Sequence, residues 1–474
     1  MAKLDLREWL DDIEKMGELK TLTDVHWELE LGCITEMLSL RDETPAVVFD
    51  KVKDYPQGFR VLVNTLGSTK RRASILGIPA SENSLELVQA WRDKMKNMKL
   101  IPPQVVSDGP VMENVLEGKD IDLLKFPVPR WHPLDGGRYL GTGSLTITRD
   151  PEDGWVNLGT YRVMVHNENT LGFYISPGKH GRIHREKCQA MGVPCKVAIS
   201  FGHHPRFFMV SQMTLPHRLQ EYDFIGGLTE KPVEVIEGEF SGLPIPALSE
   251  IAIEGEASFD DQLVEGPFGE FTGYYGSGSR KEPIIKVNRL MYRDNPIILG
   301  SPPVKPPAEI SRSASIVNSA IIWDEMEKAG VPDIKGVWCY PEAASRLFTV
   351  VAIKQRYPGH ARQAGLVATG CNASAYLGRY VVVVDEDVDP TNLAEVIWVM
   401  SSRSDPAASI DIIRRFWSSP LDPIIKQGEP AMASRAIIDA TRPYEWMKDF
   451  PAINAFPHSD IEAAEKKWGK LLFG

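Results

Sequence analysis

Two glutamates on one broken turn are the residues of this sequence most suited to proton chemistry. Residues 264–274 read VEGPFGEFTGY and set Glu265 and Glu270 five positions apart. On a regular strand an odd spacing sends the two side chains to opposite faces, and on a helix five steps of ~100° leave them well apart. Only irregular backbone lets them converge. Gly266, Pro267 and Gly269 supply it, because glycine opens positive φ and proline fixes φ near about −65°. Two carboxylates aimed into one site cannot both ionise comfortably, so one pKa rises toward neutrality and yields a proton donor. A surface turn with two solvated acids is the plain alternative, and the turn alone does not decide between them.

Three further stretches hold polar residues of the kind a site uses. Residues 155–162, WVNLGTYR, carry Asn157 and Arg162, again five apart. Residues 177–180, PGKH, place Lys179 and His180 directly after a tight turn, and Glu221 falls in the first turn of a helix expected from QEYDFIGGL at 220–228. Asn157, His180 and Glu221 together would offer an amide oxygen, an imidazole nitrogen and a carboxylate. That mixed set suits a hard or borderline divalent ion such as Mn²⁺ or Mg²⁺, with open positions for phosphate oxygens. Taken singly, each has an ordinary role: a turn asparagine, a loop histidine, and a glutamate favoured at a helix N-terminus. His203 and His204 are adjacent and would face opposite ways on a strand, a poor ligand pair.

The elements that must position these residues fall into three segments. At 474 residues the chain exceeds one core and suits domains of the usual ~100–200 residues. Residues 1–112 read as α/β, opening with an amphipathic helix through Leu6, Trp9, Leu10 and Ile13, then strands near 45–50 and 59–64 and a helix over 85–98. Residues 113–305 read as many short strands between Gly, Pro and Asp, including 143–149, 161–166, 170–175, 196–201, 207–211, 232–237, 247–254, 284–292 and 296–299, which predicts a β-barrel or sandwich. The proline-rich piece 301–307 closes that region as a linker or pocket wall. Residues 306–474 alternate helices (315–328, 360–369, 393–401) with strands (347–354, 380–385), a second α/β domain. Its end carries a capping box at Ser459 and Glu462 and an apolar stripe at Ile461, Ala464, Trp468 and Leu471, a face that needs its own domain or a partner subunit.

Composition excludes several classes. The net charge of −11 argues against broad nucleic-acid or anionic-membrane binding. Five scattered cysteines without a Cys-x-x-Cys argue against a disulfide framework and a thiolate zinc site. No apolar run approaches the ~18 residues of a membrane span. The amphipathic first ten residues, in which Asp5 and Glu8 balance Lys3 and Arg7, do not read as a targeting segment, so a cytoplasmic setting is expected.

Longer motifs point further. Glu-Gly-Pro-Phe-Gly-Glu at 265–270, Asn157 with Arg162, Lys179-His180, Glu221-Tyr222, Pro-Pro-Ala-Glu at 306–309, IKQRYPGH at 353–360 and VDEDVD at 384–389 resemble, in family order, the UbiD family of prenylated-flavin-dependent decarboxylases. The resemblance spans essentially the whole chain. It implies a central split β-barrel of flavin-reductase type between the two α/β domains, a C-terminal dimerising helix, and a homodimer or higher assembly of dimers. It implies prenylated FMN as cofactor, delivered by a flavin prenyltransferase. It also implies Mn²⁺ held by Asn157, His180 and Glu221 against the cofactor phosphate, and K⁺ near Trp155, Ser211, Met213 and Glu221. Thr142, Lys179, Met213 and Lys354 fall at cofactor positions. Arg162, Glu265 and Glu270 match the catalytic network, in which Arg162 orients the substrate carboxylate and Glu270 returns a proton after CO₂ leaves. The implied reaction is reversible, non-oxidative decarboxylation of an aromatic, heteroaromatic or α,β-unsaturated acid. Lys305 and Arg312 are candidates for a second polar group on that acid. The Asp-His pair that often follows Pro-Pro-x-Glu in the family is missing here, which shifts the expectation toward heteroaromatic or polycyclic acids. A flavin reductase or flavin-binding protein, and a subunit of a larger carboxylase complex, remain alternatives.

Overall fold

The computed structural model describes residues 4–213, 215–216, 218–426 and 428–474. The opening helix, Leu6–Lys15, buries Leu6, Trp9, Leu10 and Ile13 and is capped by Asp5, whose carboxylate accepts the Arg7 N–H at 2.7 Å. Strands Leu19–Thr23, Ala46–Asp50 and Arg60–Val63 follow in one sheet. Its fourth strand is Ile297–Leu299, drawn from far along the chain and paired in parallel with Arg60–Val63. In return Gln104–Val105 leaves the first segment to pair with Glu234–Glu237. Both strand exchanges therefore cross the expected segment border at 112.

The central region is one antiparallel sheet of nine strands among the described residues. Its order runs Arg138–Gly141, Val163–Asn167, Thr170–Gly172, Arg280–Tyr292, Ile251–Glu265, Cys195–Gly202, Leu145–Arg149, Val156–Gly159, with Asn114–Glu117 pairing beside Arg280–Tyr292. Covalent geometry requires this sheet to curl. Val156–Gly159 ends one edge and Val163–Asn167 lies second from the other, yet only residues 160–162 separate them in sequence. Four residue steps reach at most about 14 Å, whereas six strand spacings of about 4.8 Å would span about 29 Å if flat. The result is a curled half-barrel whose mouth is crossed by residues 160–162.

Residues 306–474 hold a five-stranded sheet ordered Ile334–Cys339, Phe348–Ile353, Tyr380–Asp385, Met432–Asp439, Ile410–Trp417, parallel in its middle and antiparallel at both edges. Helices Glu309–Lys328, His360–Gly370 and Leu393–Arg403 accompany it. No helix among the described residues is long and apolar enough to cross a membrane.

Local structure departs from expectation at several points. Residues 205–210 form a helix, not a strand: Pro205 presets the first helical φ and the His204 ring accepts the Arg206 N–H at 3.1 Å, a start signal that overrides the β-propensity of Phe207, Phe208 and Val210. His203 and His204 both lie buried at that start. The helix after the proline segment begins at Glu309 rather than 315, with Ser311 Oγ accepting the Ala308 N–H at 2.8 Å. The last helix starts at His458 behind Pro457, ahead of Ser459, so the expected capping box does not form. Ile461, Trp468, Leu471, Leu472 and Phe473 stand exposed on it in the single chain. Helices Glu30–Ser39, Thr69–Leu76 and His180–Met191 had no clear sequence signal.

The C-terminal sheet is closed by charge as well as by apolar contact. Arg403 and Asp385, each 3% exposed at the side chain, pair at 3.0 Å, and Arg403 also bonds Asp387. Replacing Arg403 by methionine leaves Arg442 as the one cation paired with Asp385 among the described residues, beside the Gln355 amide, and urea unfolding of the variant should show a loss of about 3 kcal/mol.

Candidate active site

The turn that begins at the end of strand Ile251–Glu265 has the geometry its sequence demands. Gly266 sits at φ 83°, a region that disfavours any side chain. The Gly136 N–H bonds the Pro267 carbonyl at 2.8 Å, and a Cβ at Gly136 would lie 2.0 Å from the Gly266 oxygen, so the approach of these two chains requires glycine. The turn then closes through the Glu270 N–H on the Tyr274 carbonyl at 2.9 Å. Phe268 points inward and packs on Tyr139, with ring centroids 4.0 Å apart.

Between the two glutamates stands Arg162. Its Nη2 bonds Glu265 Oε2 at 2.8 Å and its Nη1 bonds Glu270 Oε1 at 2.9 Å, with side-chain exposures of 8%, 1% and 11% for Arg162, Glu265 and Glu270. The Tyr139 hydroxyl donates to the other oxygen of Glu265 at 3.1 Å, and the Arg162 guanidinium stacks 4.3 Å from the Tyr174 ring. Nε of Arg162 is buried without a hydrogen-bond partner. Burial pushes the Glu270 carboxyl up from its ordinary 4.5 to about 7; Arg162 opposes the rise and Glu265 adds to it. The pair of acids is thus split in role: Glu265 is held by Tyr139 and Arg162, while Glu270 can carry a proton near neutrality.

A second polar group gathers around Tyr161 on the segment that crosses the half-barrel mouth. Asn157 lies on the edge strand, His180 is the first residue of helix His180–Met191, and Glu221 the first of helix Glu221–Thr229. His180 Nδ1 and Asn157 Oδ1 are 3.1 Å apart, and the Tyr161 hydroxyl bonds Asn157 Nδ2 at 3.4 Å and the Gly181 N–H at 3.2 Å. Glu221 Oε2 accepts the Leu158 N–H at 3.0 Å, which ties it to the same strand. Glu221 is 6% exposed, no cation pairs with it among the described residues, and burial pushes its carboxyl up to about 7. A carboxylate buried without a cation is costly, and a divalent ion held jointly with the Asn157 amide oxygen and the His180 ring would remove that cost. The amide matters to the set: among the described residues no three His, Cys, Asp or Glu side chains gather to hold a metal by themselves.

The other expected site residues fall in different places. Trp155 packs its ring on His180 with centroids 4.8 Å apart, and Ser211 Oγ meets Thr160 Oγ1 at 2.6 Å, so both border the Asn157 group. Met213 follows Ser211, its N–H on the Val210 carbonyl at 3.0 Å. Thr142 is buried and accepts the Ser301 N–H at 2.9 Å, joining the barrel to the proline-rich segment. Lys305 is exposed, with its Cα against Gly273 of the acidic turn. Lys179 sets its ammonium 5.9 Å from the Tyr376 ring of the C-terminal segment.

Two expectations need correction. Lys354 is not brought to either group: it follows the end of strand Phe348–Ile353 and pairs with Glu386 at 3.4 Å. Tyr376, which meets Lys179, leads into the neighbouring parallel strand at the opposite end, and a strand of this length separates the two ends by about 20 Å. Arg312 does not face a pocket; it pairs with Asp42 at 2.6 Å and bonds the Ser39 carbonyl at 3.3 Å, which locks helix Glu309–Lys328 to the N-terminal unit. Sequence reading also missed Tyr139, Tyr161, Tyr174 and Tyr376, which have no fixed spacing from the residues they support.

The chain is similar to known proteins over its whole length. Three family models of the 3-octaprenyl-4-hydroxybenzoate carboxy-lyases match: the N-terminal domain over residues 10–91, the Rift-related domain over 104–306 and the C-terminal domain over 312–440. The chain is 30% identical to a pyrrole-2-carboxylic acid decarboxylase of Pseudomonas aeruginosa, covering 100% of this chain and 99% of that protein. It is 33% identical to a phenolic acid decarboxylase of Streptomyces sp. (strain D7), covering 94% and 93% respectively. Among solved structures, the vanillic acid decarboxylase of Sedimentibacter hydroxybenzoicus in its open form superposes with a TM-score of 0.85 at 29% identity over 100% of both chains. The UbiD-class enzyme HmfF from Pelotomaculum thermopropionicum, in complex with FMN, gives 0.83 at 28% identity over 96% of this chain and 98% of that one.

The Glu270 carboxyl, followed by isotope-edited infrared spectroscopy, should titrate near pH 7. Its folded pKa lies above the unfolded one, so its contribution to stability is complete below pH 4.5 and is lost as the pH rises to about 7, by up to ~3 kcal/mol. Glu270→Gln should remove that share of the slope; an unchanged slope would refute the assignment.

Proposed function

This chain belongs to the UbiD family of carboxy-lyases, and we propose that it reversibly decarboxylates an aromatic, heteroaromatic or α,β-unsaturated carboxylic acid with prenylated FMN as its cofactor. The observation that carries the reading is the buried guanidinium of Arg162 between Glu265 and Glu270. The likeness to a pyrrole-2-carboxylic acid decarboxylase, together with the missing Asp-His pair, favours a heteroaromatic acid.

Loss of CO₂ leaves an electron pair on an sp² carbon, which no side chain accommodates well. When bound, a prenylated flavin supplies the sink for those electrons. The chain's own residues do the rest. Arg162, fixed by two carboxylates and with Nε–H unused, orients the substrate carboxylate. Glu270, with a pKa near neutrality, delivers a proton to the carbon once CO₂ has left and is reprotonated from water before the next turnover. Tyr139 keeps Glu265 in place beside Arg162. The closed turn and the Phe268 ring keep water from the reacting carbon.

Asn157, His180 and Glu221 would hold Mn²⁺ against the cofactor phosphate, with K⁺ near Trp155, Ser211, Met213 and Glu221 and Thr142 close to the flavin. These cations would balance a phosphate dianion that a protein of net charge −11 could not otherwise bury. We further infer a cytoplasmic homodimer joined through the exposed face of helix His458–Phe473 and supplied with cofactor by a flavin prenyltransferase.

Protein co-expressed with a flavin prenyltransferase should release CO₂ from an acid in an aromatic and heteroaromatic panel, and protein made without it should not. Equal activity in both would overturn the reading, and NAD(P)H-dependent turnover with plain FMN would replace it by a flavin reductase. Glu270→Gln should keep flavin and metal, read by absorbance and elemental analysis, and lose turnover by about 10²-fold or more. Glu221→Gln should lose metal and flavin together.

A further inference from the structure

The Tyr174 ring has a second guanidinium against it. Cζ of Arg162 lies 4.3 Å from the ring centroid, and Cζ of Arg280 lies 4.2 Å from the same centroid. Tyr174 is buried, with its hydroxyl 3.2 Å from Ser176 Oγ. An aromatic face attracts a cation through its quadrupole, but two cations brought to one ring also repel each other. The arrangement holds because each guanidinium is anchored separately. Arg162 is anchored by Glu265 and Glu270, and Arg280 by Glu282, whose Oε1 accepts the Nε–H.

The backbone places Arg280 at this ring. It opens strand Arg280–Tyr292 and is the register partner of Glu265 at the end of strand Ile251–Glu265. Residues directly opposite in an antiparallel pair project to the same face of the sheet, so Arg280 and Glu265 share a side. On the other flank the Phe173 N–H bonds the Pro283 carbonyl at 2.8 Å, which carries Tyr174 alongside the start of the same strand. The residues just before Arg280 brace the acidic turn: Ser279 Oγ donates to the Gly266 carbonyl at 2.9 Å, and Ser277 Oγ stands 3.5 Å from Glu270 Oε1. Segment 277–282 therefore supports the site at three points, which are the turn through Ser279, Glu270 through Ser277, and Arg162 through the Tyr174 ring.

We propose that Arg280 is a positioning residue for the reaction: acting through the Tyr174 ring, it fixes the tilt of the Arg162 guanidinium between Glu265 and Glu270. A guanidinium bonded through its two η nitrogens to two different carboxylates is still free to pivot about the line joining those bonds, and a ring against its face removes that freedom. Arg280 holds the ring. The side chain of Arg280 is 34% exposed, so its replacement leaves the buried core intact. The role of Arg162 toward the substrate carboxylate rests on the decarboxylase reading above; the support of Arg162 by Tyr174 and Arg280 does not. The charged groups that act on Glu270 are Arg162 from the link across the barrel mouth, Glu265 from the strand before the turn and Arg280 from the strand after it, and Tyr376 of the C-terminal segment is a further titratable group in its field. Both arginines favour the ionised carboxylate, so loosening Arg162 moves Glu270 upward.

A double-mutant cycle on Arg280→Gln and Tyr174→Leu in flavin-loaded protein tests this, read by the rate of CO₂ release and by isotope-edited infrared titration of the Glu270 carboxyl. Arg280→Gln should retain flavin and metal, lower kcat about tenfold, and move both the Glu270 titration and the alkaline limb of the kcat profile to higher pH, because the proton donor then stays protonated longer. Tyr174→Leu should act in the same direction, and adding Arg280→Gln to it should change kcat by less than about twofold and leave the titration near that of the larger single shift. Arg280→Lys should restore part of the rate and of the titration. Lys281→Gln, whose side chain projects from the other face of the strand, should alter neither. Effects of the two substitutions that add in full overturn the proposal, as does a titration moved equally by Lys281→Gln. A titration cycle that behaves as expected in protein that releases CO₂ from no acid refutes the decarboxylase reading alone; CO₂ release with rate and titration unmoved by Arg280→Gln refutes the role of Arg280 alone.

Discussion

One guanidinium between two carboxylates, all three withdrawn from water, is the constraint that the rest of the molecule answers to. A buried charge is tolerated only when its partners are fixed at hydrogen-bond distance. In the sheet order the strand after Arg162 and the strand ending at Glu265 are three positions apart, about 14 Å if the sheet were flat. Contacts of 2.8 and 2.9 Å are reached because the sheet curls and because Arg162 sits on the short link that ties its edges together. The strand that leads into this link carries Asn157. The shortness of the link therefore sets the curl of the barrel, the position of the arginine and the position of the amide.

Much of this was legible in the residues. The turn at 264–274 announced itself through Gly266, Pro267 and the two glutamates, and helix Leu6–Lys15 through its apolar spacing, because both signals are local. What sequence could not carry was long-range. Nothing near Ile297–Leu299 says that it completes a sheet begun at Leu19. Arg312 has the same local context whether it lines a pocket or reaches Asp42, and only the packing of helix Glu309–Lys328 decides. Lys354 sits in a motif that resembles the family, but the direction of its strand carries it to the wrong end of the sheet. The segment 205–210 failed for another reason: its side chains prefer strands, and a two-residue start signal outweighed them.

The two polar groups illustrate how burial is used differently by similar residues. Glu221 and Glu270 are both carboxyls pushed up to about 7 by desolvation. Glu270 has an arginine beside it and a hydroxyl, Ser277, at the edge of bonding range, an environment that stabilises either protonation state. Glu221 has one backbone N–H and no paired cation among the described residues, so its ionised form lacks a counter-charge. The first arrangement suits a proton that comes and goes, and the second suits a metal that stays.

The fourth strand of the N-terminal sheet has a consequence for how such a chain can be rearranged. Ile297–Leu299 belongs by sequence to the segment matched over 104–306, yet by pairing it belongs to the sheet built from residues 19–63. A recombination that swapped the first segment for that of a distant relative would have to rebuild the edge of Arg60–Val63 against a foreign strand, and would shift Ser301 and Thr142 with it. The first two segments are therefore one unit of sheet structure, although the sequence divides them.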